Sequence, residues 1–94
     1  MVDVEKLAGI FKLFSVEARI RIVKALKRRP LCVTEITSQL GISQEATSQH
    51  LRVLRDAGIV KFQKRGFYVY YSLDKRNMAF MNKVVSALYK LGNS

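Results

Sequence analysis

Gln44, Ser48, Gln49 and Arg52 are side chains of the kinds that read base-pair edges. An amide pairs bidentately with adenine, a guanidinium with guanine, and a hydroxyl with either base or with phosphate. Their spacing suits that task. At helical periodicity Gln44, Ser48, Arg52 and Arg55 share an outward face, while Ala46, Leu51, Leu54 and Ala57 point inward. Ser43, Thr47, His50 and Arg55 are candidates for the flanking phosphates, since hydroxyl and cationic side chains supply most such contacts. An ordinary solvated helix has the same polar outer face. The surrounding elements must separate the two readings.

Thr34 to Leu54 spells two short helices around a tight turn, the layout of a helix-turn-helix DNA reader. Thr34 is expected to cap the first helix, Gly41 to end it with a positive φ, and Ser43 to cap the second by accepting from a free first-turn N–H. Gly58 is expected to end the reader helix. Ile59 to Leu73 then reads as a β-hairpin joined at Arg65-Gly66, with Val60 and Phe62, and Val69, Tyr71 and Leu73, on one apolar face. Lys61, Lys64 and Arg65 beside Gly66 make this hairpin basic. Its tip is suited to a minor groove or to backbone phosphates, and also to plain solvation. Tyr68, Tyr70 and Tyr71 are ordinary strand residues, and Tyr70 is a candidate phosphate donor through its hydroxyl.

Charge favours the DNA reading. Seventeen Lys plus Arg face 7 Asp plus Glu in 94 residues, a formal +10, which implies an anionic partner. Membrane is the weaker choice, because no apolar run approaches the roughly 20 residues a spanning helix requires. The N-terminal Met-Val-Asp-Val-Glu-Lys has no signal-peptide pattern, and Cys32 has no internal disulfide partner, so a reducing cytoplasmic setting is expected. Paired carboxylates, a Ser-His-Asp set, a phosphate-cradling glycine loop and a metal cluster are all missing from the sequence, so no enzyme and no cofactor are expected.

One domain over residues 1–94 accounts for the whole pattern, with dimerisation helices at both ends, about 3–14 and 77–91. Val4, Leu7, Phe11 and Phe14 mark the first helix. A second begins near Ser15, a suitable N-cap, and ends in Lys27-Arg28-Arg29, where helix-dipole complementation and phosphate contact explain the charge equally well. The last helix carries two apolar stripes, one of Met78, Met81, Val85 and Leu88 and one of Phe80, Val84, Ala87 and Leu91. Two stripes need two partners, and 94 residues supply little protein for the second. A homodimer is therefore expected, with Val4, Leu7, Phe11, Met78, Met81, Val85 and Leu88 at its interface.

The order helix-helix-helix-helix-hairpin-helix, a mostly α fold with a β-hairpin wing (α+β), resembles the winged helix-turn-helix repressors of the ArsR/SmtB family over about residues 5 to 91. The resemblance is carried by Phe14-Ser15-Val16-Glu17-Ala18-Arg19-Ile20-Arg21-Ile22, by Leu31-Cys32-Val33-Thr34-Glu35-Ile36, by Ser43-Gln44 with Ser48-Gln49-His50-Leu51 and Leu54, and by Gly58-Ile59-Val60 with Val69-Tyr70-Tyr71-Ser72-Leu73. It implies a homodimeric prokaryotic repressor, joined through its first and last helices, that binds an imperfect inverted repeat and leaves when a ligand binds.

The departures concern the ligand. Arsenic- and cadmium-sensing members carry C-x-C where this chain has Cys32-Val33-Thr34, and thiophilic ions want two or three sulfurs. Zinc- and nickel-sensing members use Asp and His of the last helix, whereas Lys75 to Leu91 holds no His, Asp or Glu. No metal is expected. Cys32 is either a small buried hydrophobe at a helix start or a redox-responsive thiol near Arg28 and Arg29. A winged-helix protein-interaction module without specific DNA binding stays open, because a fold does not fix a function.

Overall fold

The computed structural model describes residues 3–5, 8, 9, 16–77, 79, 82 and 83. Its elements are α1 (Glu17–Leu26), β1 (Leu31–Cys32), α2 (Val33–Leu40), α3 (Gln44–Asp56), β2 (Val60–Arg65) and β3 (Tyr68–Leu73). Residues 4, 5, 8 and 9 before α1, and 75–77, 79, 82 and 83 after β3, have helical backbone. Ser15, Leu7, Phe11, Phe14, Met78, Phe80, Met81, Val84, Val85, Ala87, Leu88 and Leu91 lie outside the described residues.

The core forms where three helices and the hairpin base meet. Ile22, Val23 and Leu26 of α1 pack with Ile36 and Leu40 of α2 and Leu51 and Leu54 of α3; Leu31, Ile59 and Val60 close the sheet side. Large residues at three- and four-residue spacing give each helix one apolar stripe, and among the described residues these stripes pack on one another and on the sheet side.

The turn between α2 and α3 follows expectation. Gly41 ends α2 at φ 67°, its N–H donating to the Thr37 carbonyl, and the Ser43 hydroxyl accepts from the Ala46 N–H at 3.1 Å. The start of α2 does not. Its N-cap is Cys32 rather than Thr34, which is exposed inside the first turn. The Cys32 N–H donates to Glu35 Oε1 at 3.2 Å, so a carboxylate three residues on serves the helix start. Glu35 Oε2 also accepts from Arg29 at 2.8 Å. By contrast α1 starts at Glu17, with Val16 at the cap position and no side-chain cap bond.

Leu31–Cys32 is a strand, where the sequence suggested a helix opening. It pairs antiparallel with β3 (Leu31 opposite Tyr71, Cys32 opposite Tyr70), giving a three-stranded sheet of order β1-β3-β2. Two residues carry no readable alternation; only the free edge of β3 makes them a strand.

The end of α3 sets the direction of the wing. Gly58 (φ 77°) donates to the Arg55 carbonyl and Ile59 to the Leu54 carbonyl, both at 2.9 Å, the paired bonds of a Schellman motif. Ile59 and Leu54 are both buried, supplying the apolar contact that accompanies it. Ala57, expected inward, is the exposed C-cap. The hairpin turn is Gly66-Phe67, one residue later than expected, closed by the Arg65–Tyr68 pair. A positive φ at Gly66 alone (62°) matches a type II′ turn. The alternating apolar face exists, but beyond Val60 it stands clear of the core. Phe62 remains 50% exposed and packs across the sheet on Tyr71, ring centroids 5.9 Å apart.

Thr47 is the buried polar residue of the described core, at 0% exposure. Its hydroxyl donates to the Ser43 carbonyl at 3.0 Å and accepts from the Thr37 hydroxyl at 2.9 Å. Thr47→Val keeps the volume and removes both bonds; a loss of about 1–2 kcal/mol is expected in urea unfolding. Glu35 should give stability an acid limb. The hydrogen bond from Arg29, then that from the Cys32 backbone, lowers its carboxyl from 4.5 to about 2. Its contribution is therefore complete above about 4.5 and disappears as pH falls toward 2. In Glu35→Gln, unfolding midpoints should fall at neutral pH and lose that part of the acid slope.

Candidate nucleic-acid interface

The outer face of α3 is prepared from its inner one. Thr47, Leu51 and Leu54 are held in the core, so the residues a half-turn away must face solvent. Gln44, Ser48, Gln49 and Arg52, the four expected base readers, are all exposed. With Glu45 they line one open hollow of about 600 Å³. Sequence reasoning misses Glu45. Its carboxylate belongs to the same surface and can accept from the exocyclic amine of cytosine, a signal available from its place between Gln44 and Ser48.

The expected phosphate contacts divide. Thr47 is excluded, because both capacities of its buried hydroxyl are spent inside the protein. Ser43 is exposed; its oxygen caps α3 and its O–H remains free to donate outward. His50 is half-buried, and its Nδ1 accepts from Arg19 Nε of α1 at 3.4 Å. In this contact Nδ1 is the acceptor. Burial, and then the Arg19 charge, lower its pKa from 6.5. Its first role is to tie the reader helix to α1.

The wing brings a second set of groups beside the first. Arg55 of α3 stacks over the Phe62 ring of β2, 5.2 Å from its centroid, which links reader helix and hairpin. Lys64 shares that strand face, and Lys61 and Arg65 lie on the other; all three are exposed. Arg65 lies over the Tyr70 ring at 5.9 Å, and Tyr70 packs on Tyr68 at 6.5 Å. Tyr70 is therefore half-buried as a platform for a cation. Gly66 forms the turn beneath a fully exposed Phe67, which sequence reasoning also misses.

Cys32 is half-buried at the join of β1 and α2. Arg29, expected to act on its thiol, instead forms an ion pair with Glu35. No three His, Cys, Asp or Glu side chains come together as a metal site among the described residues. Val4, expected at a subunit interface, is 76% exposed in the single chain.

Residues 17–61, from the start of α1 to the start of the wing, match the bacterial regulatory protein, arsR family. An uncharacterized HTH-type transcriptional regulator of Methanocaldococcus jannaschii is 42% identical over 77% of this chain and 83% of its own length. The chain belongs to the ArsR family. A Synechocystis protein named as a transcriptional repressor SmtB homolog is 36% identical over 73% of this chain; the chain spans only about half (52%) of that relative's length. The solved structure of HlyU from Vibrio cholerae superposes with a TM-score of 0.74 at 33% identity, covering 95% of this chain and 98% of that one. The winged helix-turn-helix is thus the fold, shared with solved structures of transcriptional regulators. No described helix is long and apolar enough to cross a membrane.

The lowered pKa of His50 can be tested by following its ring protons against pH. Its midpoint should lie below 6.5 and rise in Arg19→Ala, which removes a repelling charge. A midpoint unchanged by that substitution would separate the two side chains in solution.

Proposed function

We propose that this regulator acts in the cytoplasm as a homodimeric repressor, placing two copies of α3 in successive major grooves of an inverted-repeat operator and blocking polymerase there. The observation that carries this reading is the single outward surface of Gln44, Glu45, Ser48, Gln49 and Arg52, opposite a helix face locked in the core. Gln44, Ser48, Gln49 and Arg52 read base edges, with Glu45 beside them, and Arg55, Lys61, Lys64 and Arg65 hold phosphates on either side. The Arg55–Phe62 contact supports a fixed relation between the two sets. The repressor reading is in line with the name of the Synechocystis relative, whereas the Vibrio cholerae relative HlyU, 34% identical over 94% of this chain, is named a transcriptional activator. The two-fold arrangement rests on the apolar stripes of Leu7 and Phe11, and of Met78, Met81, Val85 and Leu88, which call for a second copy.

Selection of binding sites from random duplex DNA with the purified protein tests the proposal directly. Enrichment of an inverted repeat is the expected result; no binding at all would move the assignment to a protein-interaction module. On the selected site, Arg52→Ala and Gln44→Ala should each cost about 1–3 kcal/mol and relax base preference. Equal losses on selected and random duplexes would remove Arg52 from the base readers. Lys64→Ala with Arg65→Ala should weaken binding to every sequence. The log–log salt slope should flatten by about one for each phosphate that is no longer neutralised.

A further inference from the structure

Phe67 has no place in the chemistry described so far. It is a phenylalanine at the tip of a basic hairpin, fully exposed, with no ring partner among the described residues. The turn holds it there. Gly66 at φ 62° and Phe67 form the two-residue loop, so β2 and β3 end beneath the ring and nothing in the hairpin can fold over it. The other wing aromatics are engaged: Phe62 with Tyr71 and Arg55, and Tyr70 with Tyr68 and Arg65. An apolar side chain at the point farthest from the core contributes nothing to folding and invites association. Its occupant must therefore come from outside.

Charge and length select that occupant. Lys64 and Arg65 precede the tip, so the approaching surface is anionic. A six-residue strand spans about 20 Å at the usual rise. Half of DNA's helical repeat, the step from a major groove to the neighbouring minor groove, is about 17 Å. With α3 in a major groove, the wing is therefore long enough to bring its tip to the adjacent minor groove. There the cations meet the two phosphate rails, and the ring faces the groove floor between them.

We propose that Phe67 is an apolar wedge that enters the minor groove flanking each half-site and opens a base step, so that the protein prefers operators whose flanks deform easily. This rests on the DNA-reading assignment of α3 and adds a specificity element the basic tip does not supply. Inserted apolar side chains partly unstack steps, and pyrimidine–purine steps such as TA yield most readily, whereas A-tracts are stiff. The flank is thereby read through its mechanics, without a hydrogen bond to any base.

The test uses the full chain and the site recovered by selection, with flanks carrying either a TA step or an A-tract and 2-aminopurine at the flanking step. Wild-type protein is expected to bind the TA-flanked duplex at least fivefold more tightly and to raise 2-aminopurine emission at that step. Phe67→Ala should abolish both effects and keep the salt slope, since no charge changes; Phe67→Leu should restore part of each. The ring is fully exposed, so neither variant should alter the unfolding midpoint. Unchanged flank preference and emission in Phe67→Ala would overturn the wedge while leaving the reader helix standing. Absence of wild-type binding to any duplex would instead remove the underlying assignment. Vesicles of anionic phospholipid provide the opposing arm: co-sedimentation abolished in Phe67→Ala, with DNA binding intact, would assign the tip to a lipid surface and overturn the proposal.

Discussion

The structure depends on the burial of one face of α3. Leu51 and Leu54 pack against Ile36 and Ile22, and Thr47, which no apolar neighbour can satisfy, closes on the Thr37 hydroxyl and the Ser43 carbonyl. Interiors are packed too densely to allow a helix to turn about its axis. A rotation sufficient to bring a different set of residues outward would strand the Thr47 hydroxyl and open the space around Leu54. The outward surface of α3 is thus defined by what the opposite face cannot give up. Thr37 and Thr47 also join α2 to α3 directly, so the angle between the two helices carries a directional constraint in addition to the undirected one from apolar packing.

From this fixed helix the remaining geometry follows along the chain. The two bonds that close α3 at Gly58 and Ile59 turn the backbone into β2 and plant Ile59 and Val60 in the core. A substitution at Gly58 would meet both a positive φ and the Asn77 side chain, whose amide donates to the Gly58 carbonyl. The hairpin is therefore anchored at its base and free toward its tip, which gives its basic and aromatic residues reach. Arg55 bridges the anchored and free parts by stacking on Phe62.

Charge works against the isolated protein and in favour of the proposed complex with DNA. A formal +10 on 94 residues is self-repulsive, and the Arg29–Glu35 pair relieves little of it because both groups face water. A polyanion brought to the α3 and wing surface relieves that repulsion and releases its own counterions. Burial, and then the Arg19 charge, lower the pKa of His50 and so disfavour a further charge near α3.

Much of this was legible in the residues alone. Gly41 and Ser43 mark the turn through local chemistry, a positive φ and a first-turn acceptor, and local chemistry needs no partner to be read. The outward set Gln44, Ser48 and Arg52 follows from helical period. What failed was set by distant contacts: a threonine in a polar row is buried because another hydroxyl ten residues away meets it, and two residues after Pro30 become a strand because β3 offers an edge. Glu35 displaces Thr34 as the group serving the start of α2 because Arg29 and the Cys32 N–H converge on it. The sequence by itself determined the helix-turn-helix, the basic hairpin and the outward face of α3, since period, caps and charge are written within a few residues. Only the tertiary structure decided that Thr47 belongs to the core and that Phe67 stands alone at the tip. Burial is a property of what packs against a residue, and the partners come from elsewhere in the chain.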